Sequence, residues 1–395
     1  MPCPTFFMIN KKIAYLIVFV LFVLSTVTTY SFFSTKNGQS FLSPISYQAP
    51  KSENGISETA AVSEPKTEEC PLNGEMLSKT QKNVWEGHRP LGIMIENHKL
   101  SRPQSGLSSA DVVYEAVAEG GITRFLAVFY CKDASYVGPV RSARMYFLKF
   151  LEGYGKNPLY AHVGGANTDG PANALGYINE RGWSSYNDLN QFSVPFPYFW
   201  RDYERLPGRV TEHTVYSSTK KLWQYAKDKR GLTNVDDEGI RWDKGFSAWK
   251  FEDDAKVSDR GTVAKIDFGF WDNLASDFSV VWSYDNKTNS YKRTNGGVPH
   301  LDKNSGKALE TKNVVVMFAK ESPANDGYEG GHILYKTVGS GEMLFFKNGQ
   351  VVKGTWSRDD EETQVKFFDN NDKEISIVRG QVFIEMLPIG NKVTY

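Results

Sequence analysis

The chain opens on an apolar stretch, Ile13 to Phe33, that contains no charged side chain. At about 1.5 Å per residue it would form a helix of about 31 Å, enough to cross a hydrocarbon core. The pattern therefore predicts a single transmembrane signal-anchor over 13–33. The apolar character is densest from Ile13 to Leu24 and is diluted by Ser25, Thr26, Thr28, Thr29 and Ser31, which leaves a cleaved signal peptide as the competing reading. Lys11 and Lys12 precede the span and the next charge is Lys36. This asymmetry makes residues 1–12 a cytoplasmic tail, and both readings export the body. Residues 34–89 are rich in Ser, Thr, Glu, Lys and Pro and predict a flexible linker, interrupted by a short apolar patch from Leu72 to Trp85.

Beyond the linker the pattern turns to short apolar or alternating runs bounded by Gly, Pro and Asn. Leu91 to Ile95, Asp111 to Ala118, Arg124 to Cys131 and Leu159 to Val163 read as strands of one sheet. Ala143 to Tyr154, Ala172 to Asn179 and Ser217 to Lys229 have the length and spacing of helices, the last opening on a Ser-Ser-Thr cap. An α/β domain over 90–235 follows. After Gly231 the helical spacing disappears. Ala264 to Phe270, Phe278 to Tyr284, Val314 to Ala319, Ile333 to Val338, Glu342 to Lys347, Val365 to Phe368 and Val382 to Leu387 are strand-like, with turn chemistry at Asn286 to Asn289, Lys347-Asn348-Gly349 and Asp369 to Asp372. These predict an all-β domain over 245–395, a sandwich or barrel.

Composition narrows the partners. Forty-six basic and 46 acidic side chains balance in 395 residues, which removes the long-range attraction that nucleic-acid binding requires. Three cysteines are too few for a disulfide framework, yet Cys70 and Cys131 would share an oxidising compartment and can form one bridge; two separate thiols are the alternative.

Polar residues collect where the apolar runs end. Glu96-Asn97-His98 follows the first strand, Arg102 and Glu115 come next, and then Glu119-Gly-Gly-Ile-Thr-Arg124 and Gly138-Pro-Val-Arg141-Ser142-Ala-Arg144. Arg141 and Arg144 are three apart. If a helix begins near Ser142, they face one point beside its free amides, an anion seat. The alternative is an internal network that ties these arginines to Asp111, Glu115 or Glu119. His162, beside Gly164-Gly165, and His213 add imidazoles suited to proton transfer. The ligand-binding candidates are thus Arg102, Glu115, Glu119, Arg124, Arg141, Ser142, Arg144, His162 and His213. The aromatic run from Phe192 to Trp200 suits a sugar-stacking lip or a buried loop. In the β-rich half Arg293, His300 and Asp302 are second candidates, the last two spaced to share one face of a strand. Cys-x-x-Cys, His-Glu-x-x-His and Gly-x-Ser-x-Gly are absent, so no metal, cofactor or serine-hydrolase elbow is expected.

Arg-Pro-Gln-Ser-Gly-Leu from 102, Glu-Gly-Gly-Ile-Thr-Arg from 119 and Gly-Pro-Val-Arg-Ser-Ala-Arg from 138 together resemble the YerB-type bacterial lipoprotein family of unknown function. Tyr291, Arg293, His300, Asp302 and Gly354 to Trp356 resemble that family's carboxyl-terminal domain. The resemblance implies an envelope protein with an α/β domain and a β-rich domain, and it implies no reaction. Two departures stand out. Family members carry a lipidated cysteine directly after the signal core, whereas no cysteine lies between Leu24 and Cys70 here, so attachment is expected through the span. The family's Ala-Pro-His-Asn pattern reads Thr211-Glu212-His213-Thr214 in this chain.

The expectation is a single-pass protein of the bacterial cytoplasmic membrane whose extracytoplasmic body binds an anionic or glycan cell-wall ligand, a peptide stem included, through Arg124, Arg141 and Arg144. One alternative is a metal-independent glycan hydrolase or transferase using Glu115 and Glu119, or Asp202, with His162. Another is a scaffold for envelope proteins, with Trp242, Phe246 and Trp249 as an apolar patch.

Overall fold

The computed structural model describes Lys12, residues 19–26 and residues 64–395. The expected span over 13–33 therefore lies largely outside the described residues. Residues 19–26 are helical, with Phe19, Leu21, Phe22 and Leu24 exposed. Among the described residues no helix is long and apolar enough to cross a membrane.

The body is mostly strands with some helices, α/β in its first stretch and β-rich in its second. It is organised by a ten-stranded mixed sheet with the order Lys366–Asp369, Gln350–Arg358, Gly339–Lys347, Asn313–Ala319, Val382–Pro388, Val112–Glu119, Ile122–Phe129, Leu91–Glu96, Leu159–His162, Asp188–Asn190. Leu91–Glu96 is buried at all six positions, as expected of a strand covered on both faces. It pairs antiparallel with Ile122–Phe129 and parallel with Leu159–His162. The helix Met145–Glu152 presses on it closely enough that a Cβ at Gly92 would lie 2.7 Å from a Leu151 methyl.

The stretches expected as domains over 90–235 and 245–395 share this ten-stranded sheet. Five of the ten strands come from each stretch, so one continuous sheet runs through both. The joint is Val382–Pro388, an apolar strand that needs neighbours on both edges. It runs parallel to Asn313–Ala319 on one side and to Val112–Glu119 on the other. A second, antiparallel sheet of six strands, centred on Lys265–Phe268, Val280–Asp285 and Ser290–Asn295, packs through Trp282 against Phe383.

The linker expected over 34–89 also needs correcting from Glu64 onward. Lys66–Glu69 pairs with Met76–Ser78, and a capping box between Ser78 and Gln81 starts the helix Lys79–Trp85. Cys70 is disulfide-bonded to Cys131, and Leu72, Leu77 and Trp85 are buried. A polar segment too short to bury a core alone is held by one covalent tie and three apolar side chains.

Further helices are Ala174–Glu180, capped by Asn173, Thr219–Arg230, capped by Ser218 and closed at Gly231 in the left-handed region, and the single turn Ala275–Phe278. Trp242 and Trp249 are buried and Phe246 is half-buried against the core. The apolar patch expected of a scaffold is therefore not at the surface.

Candidate functional site

The sequence candidates separate into two clusters. The inner one surrounds Glu115 in Val112–Glu119, directly opposite Glu385 in the parallel register, so two carboxylates meet in the core. Arg293 lies between them. It donates to Glu115 and its Nε is 3.5 Å from Glu385, and all three side chains are fully buried. Burial, reinforced by the charge of Glu115, holds the Glu385 carboxyl well above the usual carboxylate range, and Trp282 Nε1 donates to it at 2.9 Å. Thr123 and Asn97 donate to Glu115 at 2.5 and 3.0 Å.

His300 accepts from Arg293 at 2.5 Å through Nδ1 and donates to Gln104 at 2.8 Å through Nε2. Burial and two guanidinium neighbours push this imidazole well below its ordinary value. Arg102 is spent on Asn97 and on the Asp277 carbonyl, and Asp302 accepts from Gly106 and Ser108. Arg102, Glu115, Arg293, His300 and Asp302 thus tie the two halves of the chain together and do not line an opening. His300 and Asp302 are both buried, with Leu301 exposed between them, and each has its own internal partners.

The outer cluster forms at the end of Leu91–Glu96. The 138–144 segment is extended, threaded by Glu96 N to Pro139 O (3.0 Å), Val140 N to Val215 O (2.7 Å), Arg141 N to Met94 O (2.9 Å) and Ala143 N to Gly164 O (2.9 Å). The helix begins only at Met145, with Arg144 at the N-cap and no side-chain cap. The seat expected from a helix starting at Ser142 is consequently not built that way. Arg144 turns back to Glu119, which Arg124 also approaches at 3.4 Å, and Arg124 donates to the Ser142 carbonyl at 2.9 Å.

Arg141 goes elsewhere. Its Nε donates to Glu96 at 3.1 Å and its NH2 lies 3.9 Å from Glu212. His213 Nδ1 donates to the other Glu96 oxygen at 2.7 Å, and the His98 ring stacks on His213 with centroids 4.9 Å apart. Burial alone would raise Glu96; the His213 hydrogen bond and the Arg141 charge outweigh it and leave the carboxyl lowered. Burial and His213 lower His98. Side-chain exposure is 6% for Arg124, 10% for Arg144 and 27% for Arg141, so only Arg141 of the three offers a guanidinium edge to solvent.

His162 is wholly internal, with Nδ1 on Gly164 O and Nε2 on Asp188, both at 2.6 Å. Glu115 and Glu119 are closed onto arginines, and Asp202 caps its own turn at Glu204 and Arg205. Neither arrangement is a pair of carboxylates facing an open cleft, the geometry that two-carboxylate glycoside chemistry needs. In the aromatic run Phe199 and Trp200 are buried, whereas Phe192 is 76% exposed, with its ring 3.2 Å from where a Cβ on Gly164 would lie. Tyr328, 47% exposed, stacks on His332 with centroids 4.1 Å apart. Cys70, Asp111 and Cys131 bring possible metal-ligand atoms within 4.8 Å of one another, but the sulfurs are bonded together and Asp111 accepts from Asn73, Tyr130 and Cys131.

Glu96 and His98 are the site residues missing from the sequence candidates. The available signal was a carboxylate and an imidazole closing an otherwise apolar strand.

Residues 75–233 match the N-terminal domain, and residues 270–384 the C-terminal domain, of a family described as protein of unknown function DUF3048. The YerB protein of Bacillus subtilis (strain 168), a lipoprotein candidate, is 31% identical over 291 residues, which are 73% of this chain and 78% of that protein. The chain belongs to this YerB-type DUF3048 family. A crystal structure of Bacillus subtilis YerB is similar in fold, with a TM-score of 0.66 at 24% identity over 83% of this chain and 100% of that one. Within the family match, Glu96, Glu119, Arg124, Arg141, Arg144 and His213 all fall in the N-terminal DUF3048 segment, and Arg293, His300 and Asp302 in the C-terminal one. The inner network therefore joins the two halves of the DUF3048 architecture, and the outer cluster belongs to the first half alone.

Proposed function

We propose that this DUF3048 protein is an extracytoplasmic envelope protein, held at the membrane by its apolar amino-terminal segment, and that it binds an anionic cell-wall glycan on the face around Arg141. The exported location is supported by the Cys70–Cys131 disulfide, since such bonds persist in oxidising compartments, and by the lipoprotein candidate among its relatives.

The observation that carries the ligand reading is the exposed edge of Arg141, in a segment hydrogen-bonded to Gly164, which lies beside the surface ring of Phe192. A guanidinium selects carboxylate or phosphate oxygens, and an exposed flat ring such as Phe192 can cover the apolar face of a sugar. Arg124, Arg141 and Arg144 against Glu96 and Glu119 leave one positive charge in surplus, offset at the rim by Glu212. Arg124 and Arg144 act here by positioning the segment, and Arg141 by contact.

Retention on purified wall polymer, measured for the full chain, tests the reading. Arg141→Ala and Phe192→Ala are each expected to weaken binding about tenfold while the fold persists. Unchanged retention by the folded double variant would remove the proposed face.

A further inference from the structure

The six histidines of the chain are used in different ways. His162 and His300 have both ring nitrogens engaged inside the protein. His88 is stacked on Trp223 and bonded to the Tyr130 carbonyl. His332 gives Nδ1 to Asp326 at 2.7 Å and stacks on Tyr328, with no guanidinium bonded to Asp326 among the described residues. His213 differs from all of these. Its Nδ1 is fixed by Glu96, the second Glu96 oxygen is held by Arg141, and Nε2 carries no hydrogen bond from a described residue. The groups facing it are Glu96, His98, Arg141 and, at the rim, Glu212.

The geometry points to a general-base dyad, Glu96 and His213, that hydrolyses phosphodiester bonds in the anionic glycan bound at Arg141. A carboxylate on Nδ1 fixes the tautomer and ring orientation and leaves the lone pair of Nε2 for a substrate proton. An adjacent guanidinium supplies the charge stabilisation that phosphoryl transfer needs. In the step, Nε2 takes a proton from water while the water oxygen bonds to phosphorus. The bond from phosphorus to the leaving oxygen breaks, and the electron pair goes with that oxygen, which is then protonated by the imidazolium. His213 is the catalytic residue in this assignment, and Glu96 is a positioning residue acting through it.

The assignment rests on the binding reading above, and the test separates the two. Full-length protein in detergent is incubated with bis(p-nitrophenyl) phosphate, whose leaving group departs as p-nitrophenolate. Release above the buffer rate is expected. His213→Ala is expected to lower it about a hundredfold, with partial recovery in added imidazole, which a merely structural ring would not give. Glu96→Gln is expected to lower kcat with little change in KM. If His213→Ala does not fold, His213→Gln, which keeps a donor toward Glu96, replaces it. No release by the wild type, release from p-nitrophenyl acetate but not from the phosphodiester, or equal release by the folded His213 variant overturns the dyad. Wall-polymer retention that still depends on Arg141 then leaves the binding reading standing, and its loss removes both.

Discussion

Arg293 and Glu115 form an ion pair in which neither side chain reaches solvent, although 178 positions separate them in the chain. Breaking one member of a buried pair is costly because it strands the other charge, and here the stranded carboxylate would lie beside Glu385. Arg293→Met is therefore expected to destabilise the body by about 3–5 kcal/mol, read as a fall in the urea midpoint. Glu385→Gln is expected to change stability by less than about 1 kcal/mol, because burial holds the Glu385 carboxyl well above the usual carboxylate range and an amide can replace it as the acceptor for Trp282.

Asp111 gives the body a pH dependence of definite sign. Burial pushes its carboxyl up to about 6 from 3.8, despite hydrogen bonds from the Tyr130 and Cys131 amides at 2.7 and 2.9 Å. A folded-state value above the unfolded one means that the native state holds the proton more tightly, so this contribution is fully present below pH 3.8 and is lost as pH rises through about 6. The amount is about 3 kcal/mol. Thermal midpoints of Asp111→Asn between pH 4 and 7 are expected to follow a flatter curve than those of the wild type. An unchanged slope would place the titration elsewhere.

The apolar runs that became strands were legible because Leu91–Glu96, Asn313–Ala319 and Val382–Pro388 are buried on both faces and carry almost no polar residue. Gln350–Arg358 was not read as a strand, because its residues alternate with solvent and include Gly354, where a Cβ would strike the Phe368 carbonyl. Arg141 and His213 were visible as unusual residues beside strand ends. The bond from His213 to Glu96 spans 117 positions and leaves no local pattern. The same holds for Arg293 and Glu115, so the outer and inner clusters could not be separated by spacing. Arg144 was expected beside Arg141 and faces Glu119, because the segment stays extended two residues longer than the helix pattern suggested.

The disulfide should account for the order of residues 64–89. It closes a loop across a sequence separation of 61, for which chain entropy gives about 4 kcal/mol. The double variant Cys70→Ala, Cys131→Ala is expected to lose about 2–4 kcal/mol and, more specifically, to exchange the amides of Lys66–Glu69 and Lys79–Trp85 faster while those of Leu91–Glu96 stay protected. Equal acceleration throughout the body would show that the bond supports the whole fold and not this segment.

In the seat proposed at Arg141, Glu212 would compete with an anionic ligand. Its carboxylate lies 3.9 Å from Arg141 NH2 and is 56% exposed, so the contact is a weak surface pair of about 0.2–1 kcal/mol that a better acceptor can displace. Removing the charge and keeping the shape, Glu212→Gln, is expected to strengthen retention on anionic wall polymer by roughly twofold to fivefold. The gain should shrink as salt is raised, since the interaction is exposed and screened. Arg141→Ala in the same background should abolish the gain, because the two residues act on one seat. Weaker retention by Glu212→Gln would mean that the carboxylate contacts the ligand directly, as an acceptor for sugar hydroxyls.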